Sequence, residues 1–403
     1  MIWEQIRSNQ VRTTLLVVMM GILLVALGFF VGLIFFDNGI PGVIIAVIVW
    51  GILNLVALTQ GDSIVLAIAG ARKIEKKDHP KLYNVVEEMT IASGLEKLPD
   101  IYIIDDPALN AFATGRDAQH ASVAITSGLL QKLNRDELQG VIAHEIGHIR
   151  NRDVQLMVML SILLGSIVII SSYASRFLFF SGAGSRRKSS SGGGGGQIIV
   201  LLIGLVLMIL APIAAQLIYF AVSRKREYLA DASSALYTRY PEGLASALEK
   251  LGTSNTKVQK VNQATAPMYI INPLQKQSLS ADTLTSTHPP INERVRILRA
   301  MSGASYAEYD KAYRTAKGGG GVVPASGLAA SAVGLRVASA ETGPVEDLPG
   351  RIERTRETSD ALWQINNYRT IDCDCGTRLR VPPNYRSLTV RCPHCGQVHP
   401  APR

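Results

Sequence analysis

Asn134-Arg135-Asp136-Glu137-Leu138-Gln139-Gly140-Val141-Ile142-Ala143-His144-Glu145-Ile146-Gly147-His148-Ile149-Arg150 joins a helix start to a metal signal. Asn134 with Glu137 three residues on has the form of a capping box, which predicts a helix to about Arg150. On that helix His144 and His148 are four apart, so both imidazoles leave one face and can share a metal ion. Glu145 stands next to the first histidine, where a carboxylate can take a proton from a metal-bound water. Val141, Ile142, Ala143, Ile146 and Ile149 are uncharged, as expected of a core helix that offers only its metal face.

Two histidines and a glutamate can also arise by chance on a helix surface, so the third ligand decides. The extended HExxHxxGxxH pattern fails, because Asn151 and Val154 occupy its Gly and His positions. Asp153 is off the metal face by helical angle. The next candidate is Glu227 in Arg226-Glu227-Tyr228-Leu229-Ala230-Asp231, with Asp231 four residues further on the same face of a second helix. Asp231 then suits the acid that orients a ligand histidine and raises its basicity. The bland alternative is that Glu227 and Asp231 only balance Arg224 and Arg226 at a membrane interface. Three protein ligands leave one zinc position open to water, the catalytic arrangement. The implied chemistry is peptide-bond hydrolysis, with Glu145 as base and later as acid to the leaving amine.

The separation of 79 positions from His148 to Glu227 makes sense once the apolar blocks are placed. Four blocks are uncharged: 13–36, 38–61, 154–175 and, after a glycine run, about 197–223. Each is long enough to cross the hydrocarbon core, which takes about 20 residues. The third block leaves the membrane surface near Val154 and the fourth returns near Ser223, so a hairpin brings both metal-facing helices to one interface. The first block is too long for the apolar part of a signal peptide, and no small-residue cleavage site follows, so it reads as a retained anchor. Asp37-Asn38-Gly39-Ile40-Pro41 is a tight turn that pairs the first two blocks as a hairpin. Arg7 and Arg12 before the first block, and Arg72, Lys73, Lys76 and Lys77 after the second, put both ends in the cytoplasm. Arg176, Arg186, Arg187 and Lys188 in the loop between the third and fourth blocks run against that rule. Either the hairpin spans with a tolerated basic loop, which is preferred, or it is partly sunk in the membrane.

Composition agrees. Of 403 residues 47% are hydrophobic and only 18% charged, against roughly 25% charged in soluble domains. The mean hydropathy is +0.19. A net charge of +9 suits nucleic acid, an anionic membrane or neither, and decides little alone. The four cysteines exclude a disulfide scaffold, since all lie between Cys373 and Cys395.

Outside the blocks, Pro80–Ser93 predicts a helix closed by Gly94, and Ile101–Ile104, Ala111–Thr114 and Ser122–Thr126 predict strands. Arg224–Leu251 predicts helix, broken near Pro241, and Pro290–Met301 a further one. Gly318–Gly343 reads as a linker and 350–368 as a charged, helical stretch. The fold class is a multi-pass α-helical membrane protein with a zincin-like α+β metallopeptidase domain and a small C-terminal zinc ribbon. The expected division is 1–61, an N-terminal transmembrane hairpin; 62–301, the peptidase interrupted at about 154–223; 302–368, linker and helix; and 369–403, the ribbon.

His144-Glu145-Ile146-Gly147-His148, a two-helix membrane insertion and Ser223-Arg224-Lys225-Arg226-Glu227-Tyr228-Leu229-Ala230-Asp231 together resemble the HtpX group of membrane zinc metalloproteases, relatives of the integral-membrane CAAX prenyl proteases. Asn110-Ala111-Phe112-Ala113-Thr114-Gly115 resembles that group's edge strand, and Thr287-His288-Pro289-Pro290-Ile291-Asn292-Glu293-Arg294 its C-terminal motif. The resemblance covers about residues 1–301. It implies a multi-pass enzyme of the cytoplasmic membrane, its active site facing the cytoplasm, that cleaves misfolded or damaged membrane and cytoplasmic proteins in quality control and stress response. It also implies one catalytic zinc held by His144, His148 and Glu227, with Glu145 as base. Asn110, Ala111 and Phe112 are expected to bind substrate, because an extended chain can add to an exposed strand edge with loose side-chain reading. His288 and Arg294 are expected near the oxyanion, where a cation offsets developing charge; for His288 a plain helix-entry role before Pro289 stands equally open. His79 and His120 read as surface histidines. The loose Ser/Gly loop before the fourth block and the hundred or so residues past Met301 depart from the pattern.

Cys373-Asp374-Cys375-Gly376 and Cys392-Pro393-His394-Cys395-Gly396 read as two knuckles of one structural zinc site, the first with a tighter CxC bite. His394 or His399 is the alternative fourth ligand. So short a segment has little core, and zinc can supply its folding energy, about 10–16 kcal/mol in peptide sites. Stacking aromatics are scarce, with Tyr385 alone, so no nucleic acid is expected and a substrate or partner contact suits the ribbon better. The expected partners are protein substrates and the lipid bilayer, with a further partner possible through the ribbon. A competing function is a membrane-anchored adaptor that binds through the ribbon and carries an idle metal site, but the intact Glu145 speaks against it. An intramembrane protease would bury its HExxH in an apolar span; here Arg135, Asp136, Glu137, Arg150, Arg152 and Asp153 surround it.

Overall fold

The structure, a computed structural model, describes residues 2–182, 194–256, 258–259, 268–271, 288–323, 327–328, 333–339 and 348–401. In lipid a chain must satisfy its own backbone groups, and the uncharged blocks do so as helices. Helices α1 (Ile2–Phe36) and α2 (Gly39–Ile68) form the predicted hairpin. Asp37 turns the chain at φ 52°, and the Asn38 side chain caps α2 by accepting the Ile40 N–H. The two helices meet through glycine: a Cβ on Gly42 would stand 2.0 Å from the Gly28 carbonyl oxygen. Such contact lets dispersion hold helices together where lipid supplies no hydrophobic drive.

Next in the chain come β1 (Ala71–Lys73), α3 (Pro80–Ser93), β2 (Asp100–Ile104), β3 (Ala111–Gly115), β4 (Ala121–Thr126), α4 (Ser127–Lys132) and α5 (Arg135–Arg150). The sheet order is β1-β2-β4-β3. β2 and β4 are parallel, the other pairs antiparallel, and β3 is left at the edge. The three predicted strands are present; β1 and α4 were not foreseen. Ile101, Ile103, Val123 and Ile125 from the sheet share a core with Val141, Ile142 and Ile146 of α5. The capping box forms as expected, Asn134 accepting the Glu137 N–H and Glu137 the Asn134 N–H. One expectation is corrected at α3. His79 is buried, because its Nδ1 accepts the Leu82 N–H and so caps the helix. His120 is exposed and pairs with Asp117 at 2.8 Å.

After α5 the chain turns at Asn151-Arg152 and continues as α6 (Asp153–Gly182), α7 (Gly194–Thr238) and α8 (Pro241–Thr253). Thr14–Leu33, Gly39–Ile68 and Asp153–Tyr173 are, among the described residues, the helices long and apolar enough to cross a membrane. The fourth predicted block is helical as well, within α7, but most of its side chains to Ser223 lie outside the described residues. So do 183–193, and with them most of the Ser/Gly-rich basic loop. α6 packs on α1, α2 and α7. Leu160, Leu163 and Ala211 join Met20 and Leu24 in their shared core, while Ile22, Ile44, Leu55, Ile169 and Ile209 point outward. The break near Pro241 falls as predicted, with Arg239 at φ 53° between α7 and α8. A Cβ on Gly140 would lie 2.6 Å from the Leu244 nitrogen, so α8 lies directly on α5.

The tail continues the domain. α9 (Ile291–Arg299) is the predicted helix, and α10 (Tyr306–Lys317) follows unforeseen. Within the stretch read as a linker, residues 333–339 are tied down. Val333 bridges to Ala304, the Arg336 Nη2 donates to Asp136 at 2.6 Å, and the Ser339 N–H and hydroxyl both donate to Asp136 at 2.9 Å. α11 (Leu348–Ile365) packs on α4, with Glu353 and Glu357 each 3.0 Å from Lys81. Two hairpins, β5 (Arg369–Asp372) with β6 (Arg378–Val381) and β7 (Thr389–Arg391) with β8 (Val398–Pro400), close the fold. They meet α11 through Arg378 and Arg380, which face Asp360, and Arg380 lies over the Trp363 ring.

Candidate active site

α5 and α7 cross at the membrane-proximal end of the core and bring His144, His148 and Glu227 together. The two Nε2 atoms are 3.2 Å apart; Glu227 Oε2 is 3.6 Å from that of His144, and Oε1 3.4 Å from that of His148. Atoms bound to one zinc at 2.0–2.1 Å and a tetrahedral angle stand about 3.3 Å apart, so the triangle fits the ion. Glu227 Oε2 is buried and makes no hydrogen bond.

Each imidazole is turned outward by a carboxylate. Asp231 Oδ1 lies 3.0 Å from His144 Nδ1, and Asp153 Oδ2 lies 3.3 Å from His148 Nδ1. Such partners fix the ring so that Nε2 faces the metal. Asp231 is where the sequence put it. Asp153 stays off the metal face, as the sequence predicts, and its contact with His148 Nδ1 arises because the helix does not continue: Arg152 sits at φ 57° and α6 restarts at Asp153. Arg226 holds Asp153 from α7 at 3.2 Å.

Electrostatics favour a dication. Glu145, Asp153, Glu227 and Asp231 are buried with Arg226 and Arg294, four carboxylates against two guanidiniums, an acidic excess that a dication would offset. Burial opposes charge on the histidines, yet Asp231 and Glu227 raise His144, and Asp153 and Glu227 push His148 up to about 10. Glu227 is held well below the carboxylate range against burial by His288, His144, His148 and Arg294. Glu145 is raised by burial, as suits a group that takes a proton and gives it back.

Arg294 corrects an expectation. Its Nε and Nη2 clamp Asp231 at 2.9 and 2.6 Å, its Nη1 faces Glu227 at 3.3 Å, and it is fully buried. It lies behind the ligands, away from the cleft in which an oxyanion forms. His288 does reach the cluster, 3.7 Å from Glu227, and burial pushes it down to about 4.

A narrow cleft opens beside the triangle, lined by Ala113, Glu145, His148, Val154, Met157 and Met268 among others. Ala113 and Met268 were not singled out from sequence. On β3 the Asn110 carbonyl accepts Thr126 N–H from β4, whereas the Ala111 carbonyl accepts Ile270 N–H from the other side. Backbone direction alternates along a strand, so Ala113 faces away from β4, toward Glu145. Asn110, Ala111 and Phe112 are buried: the Asn110 amide donates to the Ile271 carbonyl at 2.8 Å, and the Phe112 ring meets Tyr269. Asn110 and Ala111 are thus covered by 270–271, and Ala113 is the β3 residue that lines the cleft.

At the far end of the chain Cys373, Cys375, Cys392 and Cys395 converge as free thiols, with Sγ pairs at 3.4 and 3.7 Å. Gly376 and Gly396, both at φ 80°, turn their N–H back to the Cys373 and Cys392 carbonyls. The CxC turn closes over three residues and the CxxC turn over four, so the first knuckle is one residue tighter.

The sequence profile of peptidase family M48 matches residues 76–302. The chain is 44% identical over 309 residues to a protease HtpX homolog of Dictyoglomus turgidum, covering 77% of this chain and 97% of that one. It is 43% identical over 301 residues to a protease HtpX homolog of Streptococcus pyogenes serotype M28, covering 75% and 100%. About a quarter of this chain has no counterpart in either. Among solved structures, S. mikatae Ste24p is similar at a TM-score of 0.39 and 21% identity over 73% of this chain and 66% of that one.

Proposed function

The chain belongs to peptidase family M48, and from that premise we propose that His144, His148 and Glu227 hold its catalytic zinc and that Glu145 is the general base. The protein is a membrane-bound, zinc-dependent metalloprotease, and its substrates are proteins. The observation that carries the assignment is the triangle of ligand atoms at 3.2–3.6 Å with Glu145 beside it on the open side. Bound there, zinc lowers the pKa of water to about 7 and polarises the scissile carbonyl. Glu145 takes the proton of the attacking water and delivers it to the leaving amine. Asp231 and Asp153 keep the two histidines turned with Nε2 toward the ion and raise their basicity as ligands. Arg294 holds Asp231 and Glu227 in place, and His288 is the remaining candidate for the oxyanion.

The substrate backbone pairs with the edge of β3 at Ala113, which suits an enzyme that reads sequence loosely. Clearance of misfolded or damaged membrane and cytoplasmic proteins under stress fits that looseness and the HtpX relatives. The active site faces the cytoplasm in a four-span arrangement, a reading supported by the basic residues that follow α2. The four thiols hold a second, structural zinc: sulfurs at 2.3 Å from one ion stand about 3.8 Å apart, close to the spacing here.

Metal counting separates the two sites. Purified in detergent, the protein should carry two zinc per chain. Glu227→Ala should lose one and keep the ribbon's; Cys392→Ser with Cys395→Ser should do the reverse. An unchanged count in Glu227→Ala would remove Glu227 from the ligand set.

A further inference from the structure

The edge of β3 is already in use by the chain itself. The Ile270 N–H donates to the Ala111 carbonyl at 2.9 Å, on the side of the strand that faces away from β4. The Asn110 side chain closes on the next peptide from both directions, donating to the Ile271 carbonyl at 2.8 Å and accepting the Ile271 N–H at 3.4 Å. Tyr269 is buried edge-on to Phe112, with ring centroids 5.0 Å apart. Met268 continues into the cleft beside Ala113, Glu145 and His148. A short apolar run, Met268-Tyr269-Ile270-Ile271, is thus held on the strand that leads to the metal by one main-chain hydrogen bond and the Asn110 side chain, on the edge that an added peptide strand would use.

We propose that Met268–Ile271 is an internal pseudosubstrate that holds the β3 edge until a substrate strand displaces it. The inference rests on the reading that β3 takes substrate. Three hydrogen bonds, two of them to one side chain, make a displaceable contact. A long unfolded chain brings more main-chain pairs than the four residues it replaces and wins; a short peptide does not. The enzyme therefore selects extended, unfolded protein over small peptides without reading side chains. If the edge is free about a tenth of the time, apparent affinity is lowered about tenfold, and loosening the segment restores it.

The direct test uses the zinc-loaded, full-length Glu145→Gln protein in detergent with fluorescent unfolded casein, saturation being established by anisotropy. Hydrogen exchange is then followed at 268–271 and at β3. Exchange at Ile270 should rise by up to about tenfold on binding, the factor set by an edge free about a tenth of the time, while exchange at Ala113 slows. Slowed exchange at Ala113 with Ile270 unchanged would make the segment a fixed wall and overturn the inference, leaving the β3 reading intact. No change at either place would take away both. In the active enzyme, Tyr269→Ala should lower KM for casein about tenfold with kcat and zinc content unchanged. A raised KM or a lost kcat in a zinc-replete variant would contradict the proposal.

Discussion

Arg294 braces the cluster of His144, Glu227 and Asp231 from behind. It neutralises Asp231 and Glu227 together at full burial, and breaking such a pair costs about 3–5 kcal/mol because a buried charge is left uncompensated. Arg294→Met should lower the melting temperature in detergent by several degrees and weaken zinc retention against a chelator; a variant that melts and holds zinc like the parent would place the guanidinium elsewhere. His79 supplies a pH dependence. Burial lowers its pKa from 6.5, against Glu357 and with Lys81, and its Nδ1 must be unprotonated to accept the Leu82 N–H. The unfolded chain then binds the proton more readily, so this contribution is fully present above pH 6.5 and is lost as pH falls through the lowered value. His79→Asn keeps a cap that does not titrate, and stability measured from pH 7.5 to 5.5 should fall less in the variant than in the parent. At this scale the sequence was informative where spacing encodes geometry. His144 with His148, and Glu227 with Asp231, are read from helical period alone. Asp153, Ala113 and Met268 were hidden, since each depends on a turn or on a contact between distant segments.

Elements with a local signal were legible: α3 from Pro80 and Gly94, α5 from its capping box, and the α7–α8 break from Pro241. Elements held by distant partners were not. β1 is three residues long and exists because β2 pairs with it. The 333–339 strap has no periodicity, yet it is fixed by Asp136 at the first turn of the catalytic helix and by the Thr238 carbonyl at the end of α7. It therefore ties together the two helices that carry the metal ligands. Arg336→Ala removes hydrogen bonds to a buried carboxylate, of the kind worth about 1.5–3 kcal/mol. It should lower thermal stability without changing the zinc count, a prediction that differential scanning fluorimetry with metal analysis checks; unchanged melting would return the segment to the role of a linker.

Over the whole molecule the membrane is part of the catalytic architecture. α6 and α7 interrupt the peptidase in sequence but complete it in space, one starting at Asp153 and the other delivering Glu227. The apolar excess of the composition is thus concentrated in helices that present a charged cluster at their ends. The tail adds α11, which packs on α4 and pairs with Lys81, and the four-cysteine module, which pairs with Asp360 of α11. The central claim is that this cluster hydrolyses peptide bonds with Glu145 as the base. Cleavage of unfolded casein by the zinc-loaded protein and by Glu145→Gln, with zinc counted in both, tests it most directly. The account predicts at least about a hundredfold loss of cleavage, the scale of general-base catalysis, with zinc retained in full; equal cleavage by the two proteins at equal zinc content would contradict it.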